Sequence, residues 1–185
     1  MKQKNYTKAI IISVIAVLLI PLAPMLIFFI TVVTQPSPPL PEIRRGEFEF
    51  RLEYEIDGQR HVVEDTIIVE FDGINHFSTN GKYRRWSLHL QSDRRASNLL
   101  LLQLEDGRRV YYNLGSPNYY MGDFRGVREP GRWYPFNGVF YVERGRNSST
   151  ATTRGVGGVE GLYDEFGITL ISWEVDPPIV NRFIE

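Results

Sequence analysis

Between Ala9 and Val33 the chain carries no charged residue. At 1.5 Å per residue, a helix over that run is about 37 Å long, enough to cross a hydrocarbon core of about 30 Å with tilt. The apolar core of a cleaved signal peptide is shorter, about 7–15 residues, and ends in a small-x-small site. Here "ITVVTQPS" follows and supplies none. Lys2, Lys4 and Lys8 precede the run and no acid does, which places the N-terminus in the cytoplasm. The sequence therefore predicts a cytoplasmic tail at 1–8, an uncleaved single-pass transmembrane helix at 9–33 acting as signal anchor, and an extracytoplasmic remainder at the cell membrane. Pro21 and Pro24 each remove a helical hydrogen bond and bend the span. That bend is either a plain kink or a surface shaped for another membrane protein.

The run ends in "TQPSPPLPE". Pro36, Pro38, Pro39 and Pro41 favour extended polyproline geometry, so 34–43 is expected to be a short, stiff spacer. About 140 residues remain, enough for one domain with its own core. The chain has no cysteine, which excludes disulfides, thiolate metal sites, a catalytic thiol and a lipidated cysteine. Of the 21 Lys and Arg, three precede the span, leaving 18 against all 22 Asp and Glu, a net charge of about −4 beyond it. Nucleic acid is not the expected partner, because phosphate binding needs a basic surplus.

After the spacer the hydrophobic period becomes two. In "FEFRLEYEI", Phe48, Phe50, Leu52, Tyr54 and Ile56 share one face, and Glu49, Arg51, Glu53 and Glu55 share the other. Asp57-Gly58 suits a two-residue hairpin turn. Such a turn pairs Ile56 with Gln59, Glu55 with Arg60, Leu52 with Val63 and Arg51 with Glu64. Asp65 then falls on the apolar side and suggests a bulge or local twist. Asp72-Gly73 and Asn80-Gly81 are expected to bound a loop. In "KYRRWSLHLQ", Trp86, Leu88 and Leu90 point inward, while Arg85, Ser87 and His89 point out. Asp106-Gly107 in "NLLLLQLEDGRRVYYNL" predicts a second two-residue hairpin pairing Gln103 with Val110 and Leu101 with Tyr112. Both its faces are apolar, so it is expected to sit centrally with a layer on each side.

"VFYVE" (139–143) is a further expected strand. "RGRNSSTATTRGVGG" is poor in apolar residues and is expected to be an exposed loop. In "VEGLYDEF", Val159, Leu162, Tyr163 and Phe166 make a helical stripe, ended by Gly167. "ITLISWEV" alternates again as a strand until Pro177. The fold class is therefore mainly β, bordering on α+β: an antiparallel sandwich or partly open barrel over 44–185, with one short helix before the last strand.

No catalytic signature is present: no Gly-x-Ser-x-Gly elbow, no phosphate loop, no His-Glu-x-x-His. His61, His76 and His89 are not at metal-ligand spacing, so no metal and no cofactor is expected. The stretch "GSPNYYMGDFRGVREPGRWYPFNG" stands out. Ser116-Pro117 suits a helix start, and Tyr119, Tyr120, Asp123, Arg132 and Trp133 combine aromatic faces with charged groups that could bind a sugar or peptide. The competing expectation is that the aromatics fold back to cap the sheet.

"GEFEFRLEYEIDGQ", "GSPNYYMGD" and "YDEFGITLISWEVDPPI", together with the single span, resemble a group of small membrane-anchored bacterial proteins with a β-rich exported domain. The resemblance covers most of residues 44–185. It implies a bacterial envelope setting and brings no activity and no site residue with it. The expected function is a tethered, non-enzymatic binding or interaction module for a cell-wall glycan, a peptide or a protein. An envelope hydrolase or an accessory subunit of a membrane complex is the alternative.

Overall fold

The alternation of "FEFRLEYEI" becomes one long strand, and the rest of the chain is organised around it. A computed structural model describes residues 23–76, 81–124, 139–144, 151–156 and 158–184. The described chain is mainly β, with antiparallel sheets and a few short helices. The strands are β1 (Leu40–Pro41), β2 (Arg45–Ile56), β3 (Gln59–Asn75), β4 (Tyr83–Leu90), β5 (Asn98–Gln103), β6 (Arg109–Asn113), β7 (Val139–Arg144), β8 (Ala151–Gly155), β9 (Ile168–Val175) and β10 (Phe183–Ile184). The helices are α1 (Ala23–Thr34), α2 (Pro117–Tyr120) and α3 (Gly158–Phe166). Two units are distinguished: Met1–Pro39 with Gly73–Arg85, and Leu40–Asp72 with Trp86–Ile184.

In the first unit, α1 exposes Met25, Ile27, Phe28, Phe29 and Ile30 by 51–63%. Residues 9–22 of the expected span lie outside the described residues. Among the described residues no helix is long and apolar enough to cross a membrane. The spacer is tied down rather than free: Lys82 Nζ donates to the Gln35 carbonyl at 2.6 Å and Arg84 Nη1 to that of Pro39 at 3.0 Å. Extended proline-rich backbone makes no internal hydrogen bonds, so its carbonyls are open to side-chain donors.

In the second unit, sheet order is β4-β3-β2-β9 and β5-β6-β7-β8, with β1 and β10 as a separate ribbon. β2 and β3 pair Ile56 with Gln59, Glu55 with Arg60, Leu52 with Val63 and Arg51 with Glu64, as the turn predicts. Asp57 and Gly58 both have positive φ (50° and 79°), the type I′ geometry whose twist matches that of the strands. Phe48, Phe50, Leu52 and Tyr54 are buried. Each such side chain contributes about 1.5–3 kcal/mol by leaving water. Asp65 causes no bulge: it pairs with Phe50 in unbroken register. Its carboxylate is instead satisfied by the Thr66 N–H at 2.7 Å and by the Ser92 hydroxyl. The bulge lies on β9, where Ile171 is the extra residue between the partners of Glu53 and Tyr54. β3 does not stop at Asp72; it runs on to Asn75 through Gly73 at φ 86°. On β4, Trp86 and Leu90 are buried, but so is His89, which the alternation had placed outward.

The second Asp-Gly turn behaves differently. Only Gly107 has positive φ, and Gly107 N–H donates to Leu104 O at 3.0 Å while Leu104 N–H donates to Arg108 O at 2.9 Å. The loop is therefore three residues, Glu105 to Gly107, a turn closed by a left-handed glycine. Asp106 explains the choice. Its Oδ1 accepts the Arg108 N–H at 3.0 Å, holding the aspartate as an Asx turn. That backbone bond also keeps the Asp106 carboxyl below the usual range. The register becomes Gln103 with Arg109 and, past an irregularity between Leu100 and Leu102, Leu99 with Tyr112. The hairpin is not central either: β5 is an edge strand, and Leu100 is 45% exposed.

β8 forms where an irregular loop was expected. Ala151–Gly155 pairs with β7 as the far edge of its sheet. Residues 152–155 are exposed, so this strand is held by backbone bonds and gives no hydrophobic pattern. α3 buries Leu162 and Phe166, whereas Tyr163 of its stripe is 63% exposed. Gly167 ends the helix at φ 63°, its N–H on Tyr163 O at 2.8 Å. Both sheets feed one core, with Leu52, Ile67 and Val69 from one and Val110 and Tyr112 from the other. Trp173 joins them, 5.0 Å from the Phe50 ring and 4.9 Å from that of Tyr112.

Candidate functional site

Ser116 is extended and Pro117 opens α2, which turns the chain just after β6 and drops two tyrosines inward. Tyr120 is fully buried; its hydroxyl donates to Leu114 O at 2.6 Å and its ring lies 4.8 Å from that of Phe48. Tyr119 is buried edge-on against it at 5.5 Å. Asp123 is also buried, and its Oδ2 accepts the Trp86 indole N–H at 2.9 Å. Gly122 allows this tight return: φ is 62°, and an added Cβ would stand 2.6 Å from Ile179 O. Three of the five residues singled out by sequence thus pack the end of the sheet. Arg132 and Trp133 lie outside the described residues.

A concave surface lies elsewhere, across β3, β2 and β9. It is lined by Glu49 and Arg51 of β2, Glu64, Asp65 and Thr66 of β3, and Glu174 and Asp176 at the end of β9. Pairing explains the assembly. Arg51 stands opposite Glu64 on one side and Glu174 on the other. Its Nε meets Glu64 Oε1 at 3.0 Å and its Nη1 meets Glu53 Oε1 at 2.5 Å. Asp176 is fixed by the Glu49 N–H, which donates to Oδ2 at 2.9 Å. Five carboxylates and one guanidinium line the groove, so its field attracts cations.

Glu53 sits beside the groove and is buried although its neighbours on the same face are not. Arg60 hydrogen-bonds it, and Arg51 adds a second positive charge. The Arg60 bond, followed by the charges of both arginines, holds the Glu53 carboxyl below the usual range against the opposing effect of burial. Of the two arginines only Arg60 reaches Glu53 from β3; Arg51 lies on β2 with it.

His61 stacks on Tyr54 at 5.2 Å, a packing role. Among the described residues no three His, Asp or Glu side chains are grouped to hold a metal ion. Comparison with protein-family models, with curated proteins and with solved structures finds no match.

The groove was missed from sequence for a definite reason. Glu49, Arg51 and Glu64 were legible as one outer face, but Glu174 and Asp176 join it only because β9 lies beside β2. No local pattern encodes that neighbour.

Proposed function

We propose that this chain is a membrane-tethered, extracytoplasmic, non-enzymatic interaction module whose acidic groove takes cationic peptide segments. The observation that carries the tether is α1: an apolar helix with five large side chains half exposed or more, continuing a run without charge. Apolar surface of that extent is stable against lipid rather than water. The single span runs through 9–33 with the N-terminus in the cytoplasm, in a bacterial envelope setting. A sandwich is favoured over a partly open barrel, because the two four-stranded sheets share no described strand and both contribute to one core.

The groove supports the choice of ligand. Carboxylates outnumber arginine five to one across three strands, and the region beyond the span is acidic as a whole. Cell-wall peptides bearing free amines match this chemistry better than anionic polymers do. An envelope hydrolase is the second reading, motivated by the same carboxylates. Asp65 and Asp176 are engaged by backbone N–H groups and Glu64 by Arg51, which favours structural and binding roles for them.

The test is fluorescence anisotropy of the full-length chain in detergent with labelled pentalysine and pentaglutamate peptides. Pentalysine is expected to bind with an affinity that falls as salt rises, and pentaglutamate to bind negligibly. The double variant Glu64→Lys/Glu174→Lys is expected to weaken pentalysine binding by about ten-fold or more, the scale of one or two groove charges. Equal binding of both peptides, or no effect of the variant, would remove the groove from the proposal.

A further inference from the structure

Where the domain begins, four large aliphatic side chains face outward: Leu40 (42%), Ile43 (40%), Val180 (91%) and Ile184 (59%). They are far apart in sequence but adjacent in the fold. Leu40 pairs with Ile184 across the β1–β10 ribbon. The Asn181 side chain clamps Ile43 from both sides, accepting its N–H at 3.0 Å and donating to its carbonyl at 2.8 Å. The Glu42 N–H adds a bond to Arg182 O at 2.8 Å. Val180 lies between two anchored neighbours, Asn181 on Ile43 and Ile179, whose N–H is bonded to Tyr120 O at 3.0 Å.

Isolated exposed aliphatics are ordinary, but a fixed group of four beside a tether is not. Only five residues separate Thr34 at the end of α1 from Leu40, six Cα-to-Cα steps in all. Fully extended, they reach about 20 Å, so this corner cannot leave the membrane surface by much if α1 belongs to the anchor. Arg44 and Arg182 are exposed along its border, while Arg45 is paired with Glu47 and Glu70. Aliphatics at the centre and arginines at the rim match the acyl and phosphate layers of an anionic lipid surface.

We propose that the Leu40–Ile43–Val180–Ile184 corner seats on the outer face of the bilayer, with Arg44 and Arg182 at the lipid phosphates. The proposal rests on the tether described above. Seating at this corner turns a swivelling domain into one presented in a fixed orientation, so that a second weak contact acts at high effective concentration.

The chain has no cysteine, so single labels can be introduced without background. The full-length protein is reconstituted in vesicles of phosphatidylethanolamine and phosphatidylglycerol, with an environment-sensitive fluorophore at Val180→Cys or, separately, Ile184→Cys. Glu105→Cys, exposed at the tip of the second hairpin, serves as control. Lipids carrying a quencher near the headgroup are expected to quench both corner labels at least about three-fold more than the control, as for a surface-seated apolar patch. Equal quenching at all three positions, with the protein retained on alkaline washing, would overturn the seating and leave the tether standing. Loss of the protein from the vesicles on that wash would overturn both. Each corner site is already exposed, so neither label demands repacking; agreement of the two guards against a local artefact.

Discussion

Tyr120→Ala is expected to destabilise the domain by about 3–5 kcal/mol, the cost of deleting a buried aromatic and leaving a cavity. Total stabilities of about 5–15 kcal/mol make that a large fraction. The ring packs on Phe48 and Tyr119, and the hydroxyl serves Leu114 O, so the deletion loosens β2, α2 and the turn after β6 together. Tyr120→Phe separates the two contributions. It retains the ring and orphans one buried carbonyl, for about 1–3 kcal/mol. Urea unfolding of full-length protein in micelles, followed by tryptophan fluorescence, measures both. A Tyr120→Ala protein as stable as the parent would contradict the buried position and return this residue to the surface as a ligand contact.

Raising the pH above about 10, where tyrosine ordinarily ionises, is expected to unfold the domain cooperatively. Burial pushes the phenols of Tyr112 and Tyr120 well above that value, with neighbouring tyrosines adding to the effect. Above pH 10 the unfolded chain loses both protons and the folded chain keeps them. Stability is then fully present below the ordinary tyrosine pKa and falls by about 1.4 kcal/mol per tyrosine per pH unit as pH rises beyond it. Two such groups remove about 5 kcal/mol over two pH units, which reaches the lower range of domain stabilities. The chain has ten tyrosines, so the expected record is specific. Tyrosinate absorbance rises first for the exposed rings, then in a late cooperative step that coincides with loss of the folded far-ultraviolet signal. A single smooth titration of all tyrosines with the fold intact would contradict the burial of this pair.

Where local physics decides, the sequence and the fold agree. The register of β2 with β3 follows from alternation, an Asp-Gly pair that accepts left-handed geometry, and opposite charges that meet at Arg51 and Glu64. "ITLISWEV" is β9 residue for residue, and Gly167 ends α3. Where two local solutions compete, the sequence misleads. Asp57-Gly58 and Asp106-Gly107 are the same dipeptide, yet the second forms a three-residue loop because Asp106 captures the Arg108 N–H. A one-residue difference in a turn changes which side chains meet across the whole hairpin.

Tertiary context accounts for the remaining differences. His89 is buried where alternation placed it outside, and β8 is a strand without an apolar residue pattern because its sheet edge supplies the bonds. At the candidate site, the aromatic-rich stretch after Gly115 drew attention by composition. Its described residues, Tyr119, Tyr120 and Asp123, instead pack the core. The groove was hidden because it needs β9 beside β2, a long-range pairing between residues more than a hundred positions apart.

The tether is the claim on which presentation, seating and partner access all depend. N-terminal sequencing of the mature chain, recovered from native membranes after an alkaline wash, tests it directly. The expected result is a chain that begins at Met1 or Lys2 and stays in the membrane pellet. A chain that begins after Thr34 and is released into the wash would show a cleaved, untethered domain and contradict the anchor.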